Sequence, residues 1–276
     1  GTPGCRFFDA RLASSITLRG HQILGRTRDY IEEAGHKVIY GDTDSVFVWM
    51  HEARSDGDAI EAGRILERDL NDWWAQLVRR EFALESVLEL EFETHYKRFL
   101  MPTVRGSDKG SKKRYAGLVA GEAGDQLVFK GLENVRTDWT RLAREFQEEL
   151  YRRVFVEEDF EDYVREIAAR VRAGEVDGQL VYRKRLRRRL DEYQKTIPPH
   201  VQAARLYQER GLPPPTRGAW VEYVITTGGA EPAAQHIAPL DYQHYIDRQL
   251  QPVADGILGF EGTSFSDLVD KQIALF

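Results

Sequence analysis

Two short runs rich in β-branched and aromatic residues, His36–Tyr40 and Ser45–Met50, are separated only by Gly41-Asp42-Thr43-Asp44. So short a gap, made of turn-forming residues, predicts a β-hairpin. A helix is predicted from about Leu12 to Glu33, with Leu12, Ile16 and Ile23 spaced for one face and Gly35 placed to end it. An amphipathic helix follows from about Asp58 to Arg80, with Ile65, Leu66, Leu70, Trp73, Trp74 and Leu77 on its buried side. Val87 to Phe99 alternates as a strand, placing Leu88, Leu90 and Phe92 on one face and Glu89, Glu91 and Glu93 on the other. A second hairpin is expected through Lys112 to Val119, a turn at Gly121 to Gly124, and Gln126 to Phe129.

Beyond Trp139 the apolar period lengthens to that of helices. Leu142, Phe146, Leu150 and Val154 recur every four residues, and a second helix runs from about Phe160 to Ala173, closed by Gly174. Pro198-Pro199 and Gly211 to Gly218 read as loops, Trp220 to Thr227 as a strand, and Asp241 to Leu258 as a final helix interrupted by Pro252. The pattern is α+β, an antiparallel sheet with packed helices followed by a mainly helical domain. The boundary falls near Trp139, giving domains over 1–138 and 139–276.

A chain of 276 residues, 42% of them hydrophobic, can bury one large core or two of ordinary size. No run of eighteen apolar residues predicts a membrane span, and the start, without a methionine or a signal-like segment, suggests a piece of a longer protein. A single cysteine, Cys5, excludes an internal disulfide, and a reducing cytoplasm is the natural setting. The net charge of −6 is distributed unevenly. Lys97 to Arg114 holds seven basic residues against one acidic, and six of the eight positions from Tyr182 to Arg189 are Arg or Lys. Such clusters, rather than the sum, are what a phosphate backbone meets.

Asp42 and Asp44, one residue apart at a hairpin tip, put two hard oxygen ligands where Mg2+ could sit, with coordination positions left for substrate phosphates. Asp is also a common turn former for local hydrogen-bonding reasons, so a bare Asp-x-Asp does not decide between the two. Glu91 and Glu93, on the polar side of the alternating segment, read by themselves as the solvated face of a half-buried strand.

The whole hexapeptide Tyr40-Gly-Asp-Thr-Asp-Ser45 resembles motif C of the family B DNA polymerases. Lys112-Lys113-Arg114-Tyr115 resembles the family's Lys-Lys-x-Tyr element, which holds primer-template DNA. Arg136-Thr-Asp138-Trp139 is similar to its entrance to the thumb, and Pro199-His200-Val201 to its Pro-His-Val segment. Asp241 to Leu258 is similar to a closing thumb helix. The motifs keep the family's order, cover most of the chain, and lie nearest its bacterial branch. The resemblance implies that 1–138 is the distal palm and 139–276 the thumb. It makes Asp44 a direct ligand of two Mg2+ ions, Asp42 a carboxylate shaping the same site, and Glu91 and Glu93 acidic neighbours. DNA contacts would come from Lys112, Lys113, Arg114, Tyr115 and Arg136, and from Arg183, Lys184, Arg185, Arg187 and Arg188 tracking phosphates. Arg136 and Asp138 are also placed to cap the first thumb helix.

The implied activity is template-directed transfer of a dNTP to a primer 3′-hydroxyl by the parent enzyme. Nothing in the chain resembles the family's motif A or motif B, so the isolated chain is predicted inactive. The alternative is a non-catalytic duplex-DNA-binding module; a phosphatase or nuclease built on the same Asp pair lacks further ligands or a histidine base. The terminal Gln272-Ile-Ala-Leu275-Phe276 resembles tails that dock in bacterial sliding clamps, and a frayed terminus is the competing reading.

Overall fold

The computed structural model describes residues 2–102, 113–121 and 124–270. The chain divides into two compact units, Gly1–Lys97 and Arg98–Phe276. Both mix helices with small antiparallel sheets, the α+β class that the sequence pattern predicts. No helix among the described residues is long and apolar enough to cross a membrane.

The first unit begins with α1 (Ala10–Glu33), capped by the Asp9 carboxylate accepting from the Arg11 amide and followed by Gly35 at φ +93°. Strands β1 (Lys37–Asp42) and β2 (Ser45–Trp49) form the hairpin, and α2 (Asp56–Phe82) follows, its Ser55 cap accepting from Asp58. Asp56 and Asp58 sit at its positive end and Arg79 and Arg80 at its negative end, which favours the helix dipole. A small core of Ile31, Leu66 and Leu70 is ringed by Tyr30, Val38, Val46, Val48, Met50 and Leu90. The Trp74 indole donates to Thr27 Oγ1 at 3.0 Å, joining α2 to α1 where both side chains are buried.

Three expectations need correction here. Leu12 and Ile16 are 61% and 73% exposed, and the buried residues of α1 lie in its C-terminal half, where Thr27 meets Trp74 of α2 and Ile31 joins the core beside the hairpin. Ile65 is likewise exposed, while the small Ala59 and Gly63 are buried on α2: the Phe92 ring lies over Gly63 so closely that a Cβ would stand 2.6 Å from it. The segment from Val87 to Lys97 is extended but joins no sheet among the described residues; regular pairing begins at β3 (Arg98–Leu100). Its alternation persists, with Leu88, Leu90 and Phe92 half-buried and Glu89, Glu91 and Glu93 exposed. A side chain replaces the missing neighbour strand: the Asn71 amide donates to the Leu90 carbonyl at 2.8 Å and accepts from the Leu90 amide at 2.9 Å.

In the second unit β3, β4 (Tyr115–Gly121) and β5 (Gly124–Lys130) make an antiparallel sheet. Helices α3 (Arg141–Phe155) and α4 (Glu161–Arg172) follow, and Leu142, Phe146, Leu150 and Val154 are all buried. A second sheet has the order β6 (Tyr182–Arg185), β7 (Trp220–Thr226), β8 (Gly229–Pro232), with α5 (Pro199–Glu209) packed against β7 and β8. Pro198-Pro199, expected in a loop, instead opens α5, since proline at the first helical positions loses no hydrogen bond.

The segment from Asp241 to Leu258 is helical with a change of pitch: α6 (Tyr242–Tyr245), a π-helical stretch Ile246–Leu250, and α7 (Gln251–Leu258). Pro252 brings no N–H to the turn before it, and the Gln249 amide donates to the Arg248 carbonyl at 3.1 Å. The Gln249 carbonyl in turn accepts from Thr140 N at 3.1 Å and Thr140 Oγ1 at 2.9 Å, tying the proline turn to the cap of α3. It is not the final helix; α8 (Phe265–Val269) closes the described chain.

Candidate active site and nucleic-acid surface

The hairpin is irregular where it matters. Val38 pairs with Val48 and Tyr40 with Phe47, so Ile39 is one residue too many on β1, a β-bulge. Strict alternation would put Val38, Tyr40 and Asp42 on one face. The bulge keeps Val38 with Val46, Val48 and the core and turns Tyr40 and Asp42 to the opposite face, beside Ser45 and Phe47. Gly41 then takes the core side, where a Cβ would stand 3.6 Å from Leu24 of α1. On the outer face the Tyr40 and Phe47 rings lie 5.5 Å apart, and the Tyr96 ring from the segment after α2 packs tilted against Phe47 at 6.0 Å. A two-residue turn, Thr43-Asp44, closes the hairpin, with Thr43 at φ 52°.

Each carboxylate takes a hydroxyl hydrogen bond from its neighbour in sequence. Thr43 Oγ1 donates to Asp42 Oδ1 at 2.9 Å and Ser45 Oγ to Asp44 Oδ1 at 3.3 Å, while the Asp44 amide donates to the Asp42 carbonyl at 2.5 Å. Asp42 is half-buried and Asp44 exposed. The donor set is two carboxylates flanked by hydroxyls, all hard oxygens, at an open tip; this suits Mg2+, which takes few protein carboxylates and keeps positions for water and phosphate. Among the described residues no three His, Cys, Asp or Glu side chains converge on one point; Glu91 and Glu93 are exposed on the segment that follows α2.

The basic segment entering β4 is held by its own neighbours. Lys113 adopts φ 64°, and Gly131 approaches so closely that a Cβ there would collide with the Lys113 carbonyl oxygen. Arg114 pairs with Glu133, which is buried and also accepts from Gln147 Nε2 at 2.8 Å. Gln147 Oε1 completes the network by accepting from the Asn134 amide at 2.8 Å. Tyr115 is half-buried against Phe99, ring centroids 5.2 Å apart. Lys112 lies outside the described residues, as do Gln272, Leu275 and Phe276.

Arg136 grips Asp138 through two hydrogen bonds of 3.0 and 2.9 Å; this contact raises the guanidinium's pKa and holds the carboxyl below the usual carboxylate range. Neither residue caps α3. Thr140 does, accepting from the Ala143 amide at 3.2 Å.

The basic run is a strand and a loop, which the sequence pattern missed because charge masked the alternation. On β6, Arg183 and Arg185 project to the side of Trp220 and Glu222 on β7, and Lys184 projects to the side of Tyr182 and Tyr223. The Arg183 guanidinium lies 4.7 Å from the Trp220 ring centroid, and Arg185 Nε donates to the Gly218 carbonyl at 2.7 Å. Arg187 and Arg188 follow the buried Leu186 and are exposed. His200, at the start of α5, is buried among the Tyr193 and Tyr223 rings, and its pKa is lowered first by burial and then by the Lys184 charge.

The arrangement has known relatives. The sequence profile of DNA polymerase family B matches residues 1–258. The chain is 56% identical over 282 residues to DNA polymerase II of Escherichia coli, covering 100% of this chain and 36% of that protein. It is 30% identical to DNA polymerase 2 of Aeropyrum pernix, covering 96% of this chain and 30% of that protein. Among solved structures, the family B DNA polymerase of the hyperthermophilic archaeon Pyrobaculum calidifontis superposes with a TM-score of 0.58 at 28% identity, over 91% of this chain and 30% of that one. The chain thus spans about a third of the length of the relatives it matches. A profile match over nearly the whole chain, together with this identity and this fold, establishes that the chain belongs to DNA polymerase family B.

Proposed function

We propose that this chain is the distal palm and the thumb, 1–138 and 139–276, of a DNA-directed DNA polymerase that adds a dNTP to a primer 3′-hydroxyl. The observation that carries the reading is the bulged hairpin, whose irregularity brings Asp42 out of the core side and beside Asp44 at an open tip. Asp44 and Asp42 would hold Mg2+ there. Bound at that tip, two such ions would lower the pKa of the 3′-hydroxyl and offset charge on the triphosphate. The chain's own residues do the rest. Thr43 and Ser45 orient the two carboxylates by hydrogen bonds, and the tilted Tyr40, Phe47 and Tyr96 rings packed on one another stiffen the face that carries them. Glu91 and Glu93 lend negative potential from the extended segment.

Lys113, Arg114, Tyr115 and Arg136, with Lys112, contact primer-template DNA, and the run Arg183, Lys184, Arg185, Arg187 and Arg188 meets phosphates. Gln272, Leu275 and Phe276 serve as a clamp-docking tail that acts by tethering. A second reading for the chain by itself is a duplex-DNA-binding module that uses these basic residues without extending a primer. The deciding experiment is primer extension by the full-length protein and its Asp44→Asn variant. Near-complete loss of incorporation with primer-template affinity retained is expected; incorporation at the parent rate overturns the reading.

A further inference from the structure

The part of the basic run on β6 divides over two faces of its sheet. On β6 successive side chains point to opposite faces of the sheet, so Arg183 and Arg185 share the outer face with Trp220 and Glu222, whereas Lys184 lies on the other face beside Tyr182 and Tyr223, within electrostatic reach of Asp138 and His200. A rigid duplex laid against one of these faces does not reach the other. The outer face also has a composition that duplex binding does not call for. Trp220 is 46% exposed, and the Arg183 guanidinium lies over its ring while keeping 56% of its own side chain in solvent. Arg185 is held beside them by the Gly218 carbonyl, which occupies its Nε and leaves its terminal nitrogens available.

We propose that this outer face, built from Trp220, Arg183 and Arg185, is a binding surface for unpaired single-stranded nucleic acid. It goes beyond the polymerase reading but rests on it for the presence of DNA. Single strands offer base faces as well as phosphates, and a planar guanidinium laid on an aromatic ring matches both, because a base can stack on the exposed guanidinium that the ring supports and each linkage brings a charge to neutralise. A duplex hides its base faces and would use only the charge. Protection of the β6 edge from pairing with another strand would explain the charged residues there, since β6 ends its sheet, but it gives no reason for a large aromatic side chain to stay exposed under a guanidinium. Glu222, 3.7 Å from Arg183, limits the local positive charge and disfavours simple anion capture.

The test measures binding of three probes by the full-length protein in EDTA: a fluorescent twelve-residue oligo-dT, the same length of abasic single strand, and a blunt duplex. Trp220→Ala is expected to weaken oligo-dT binding about tenfold and leave the blunt duplex within about twofold, with Trp220→Phe restoring most of the loss. Arg183→Ala should also weaken oligo-dT and lower its salt slope by about 0.7. Lys184→Ala should do the reverse, weakening the duplex and sparing oligo-dT. The proposal is overturned if Trp220→Ala leaves oligo-dT unchanged, if it weakens both DNA forms alike, or if the abasic strand binds as tightly as oligo-dT. Should Trp220→Ala unfold the protein, the Trp220→Phe and Arg183→Ala comparison against Lys184→Ala decides alone. Duplex affinity of the unaltered protein reports on the polymerase reading separately: its absence sinks that reading, whereas normal duplex binding with a flat oligo-dT response sinks only this one.

Discussion

At the scale of single residues, the hairpin tip and the Lys113 turn depend on different physics. Asp44 is exposed and hydrogen-bonded only locally, so Asp44→Asn should leave the melting temperature within about 1 °C while removing incorporation, because surface substitutions away from buried networks change stability little. Gly131 is the opposite case. Its φ of +64° and its approach to the Lys113 carbonyl mean that Gly131→Ala should cost about 1–3 kcal/mol and also weaken primer-template binding, since the turn presenting Lys113 and Arg114 must shift to make room. Denaturant unfolding and a duplex-binding titration check the two effects together. Glu231 carries a clear pH signature. Burial pushes its carboxyl up, but the Arg210 guanidinium 2.6 Å away and the amides of Ile237 and Ala238 outweigh that and hold it at about 2. A folded pKa below the ordinary 4.5 means that the stabilisation is fully present above about pH 4.5 and is lost as pH falls from there toward 2. Glu231→Gln should flatten the acid limb of a stability-against-pH curve; an unchanged limb would show that the pair contributes nothing.

At the scale of elements, two irregularities organise the molecule. Deleting Ile39 should restore regular pairing in the hairpin and return Tyr40 and Asp42 to the core side, so incorporation should fall as far as in Asp42→Ala, whereas Ile39→Val keeps the bulge and should keep activity. Primer extension beside far-ultraviolet circular dichroism tells a re-registered hairpin from an unfolded one. The π-helical stretch before Pro252 is the second. Gln249 is buried and serves Thr140 N, Thr140 Oγ1 and the Arg248 carbonyl at once. Gln249→Leu leaves all three without that partner and should destabilise by about 3 kcal/mol, measurable as a drop in denaturant midpoint at unchanged slope.

At the scale of the whole molecule, the sequence by itself determined the class, the order of most elements and the position of the carboxylate pair. These rest on local signals: the four-residue gap between β1 and β2, the four-residue spacing of Leu142, Phe146, Leu150 and Val154, and the glycines at 35 and 174 that follow helices at positive φ. The family resemblance rested on the same short motifs, and the profile match over 1–258 agrees with it. What tertiary structure alone decided is which of these residues meet. Leu12 and Ile16 have the right spacing for a buried stripe but stay exposed among the described residues, and Asp138, a good cap by type, is taken by Arg136 while Thr140 caps α3. The extended segment at Leu90 alternates like a strand yet is paired by the Asn71 side chain, which lies nineteen positions away. Lys184 and Arg183, adjacent in sequence and identical in sign, end on opposite faces of a sheet. Periodicity reports what a residue prefers; its partner comes from chain segments far away in sequence, and a single inserted residue such as Ile39 reverses every face that follows it.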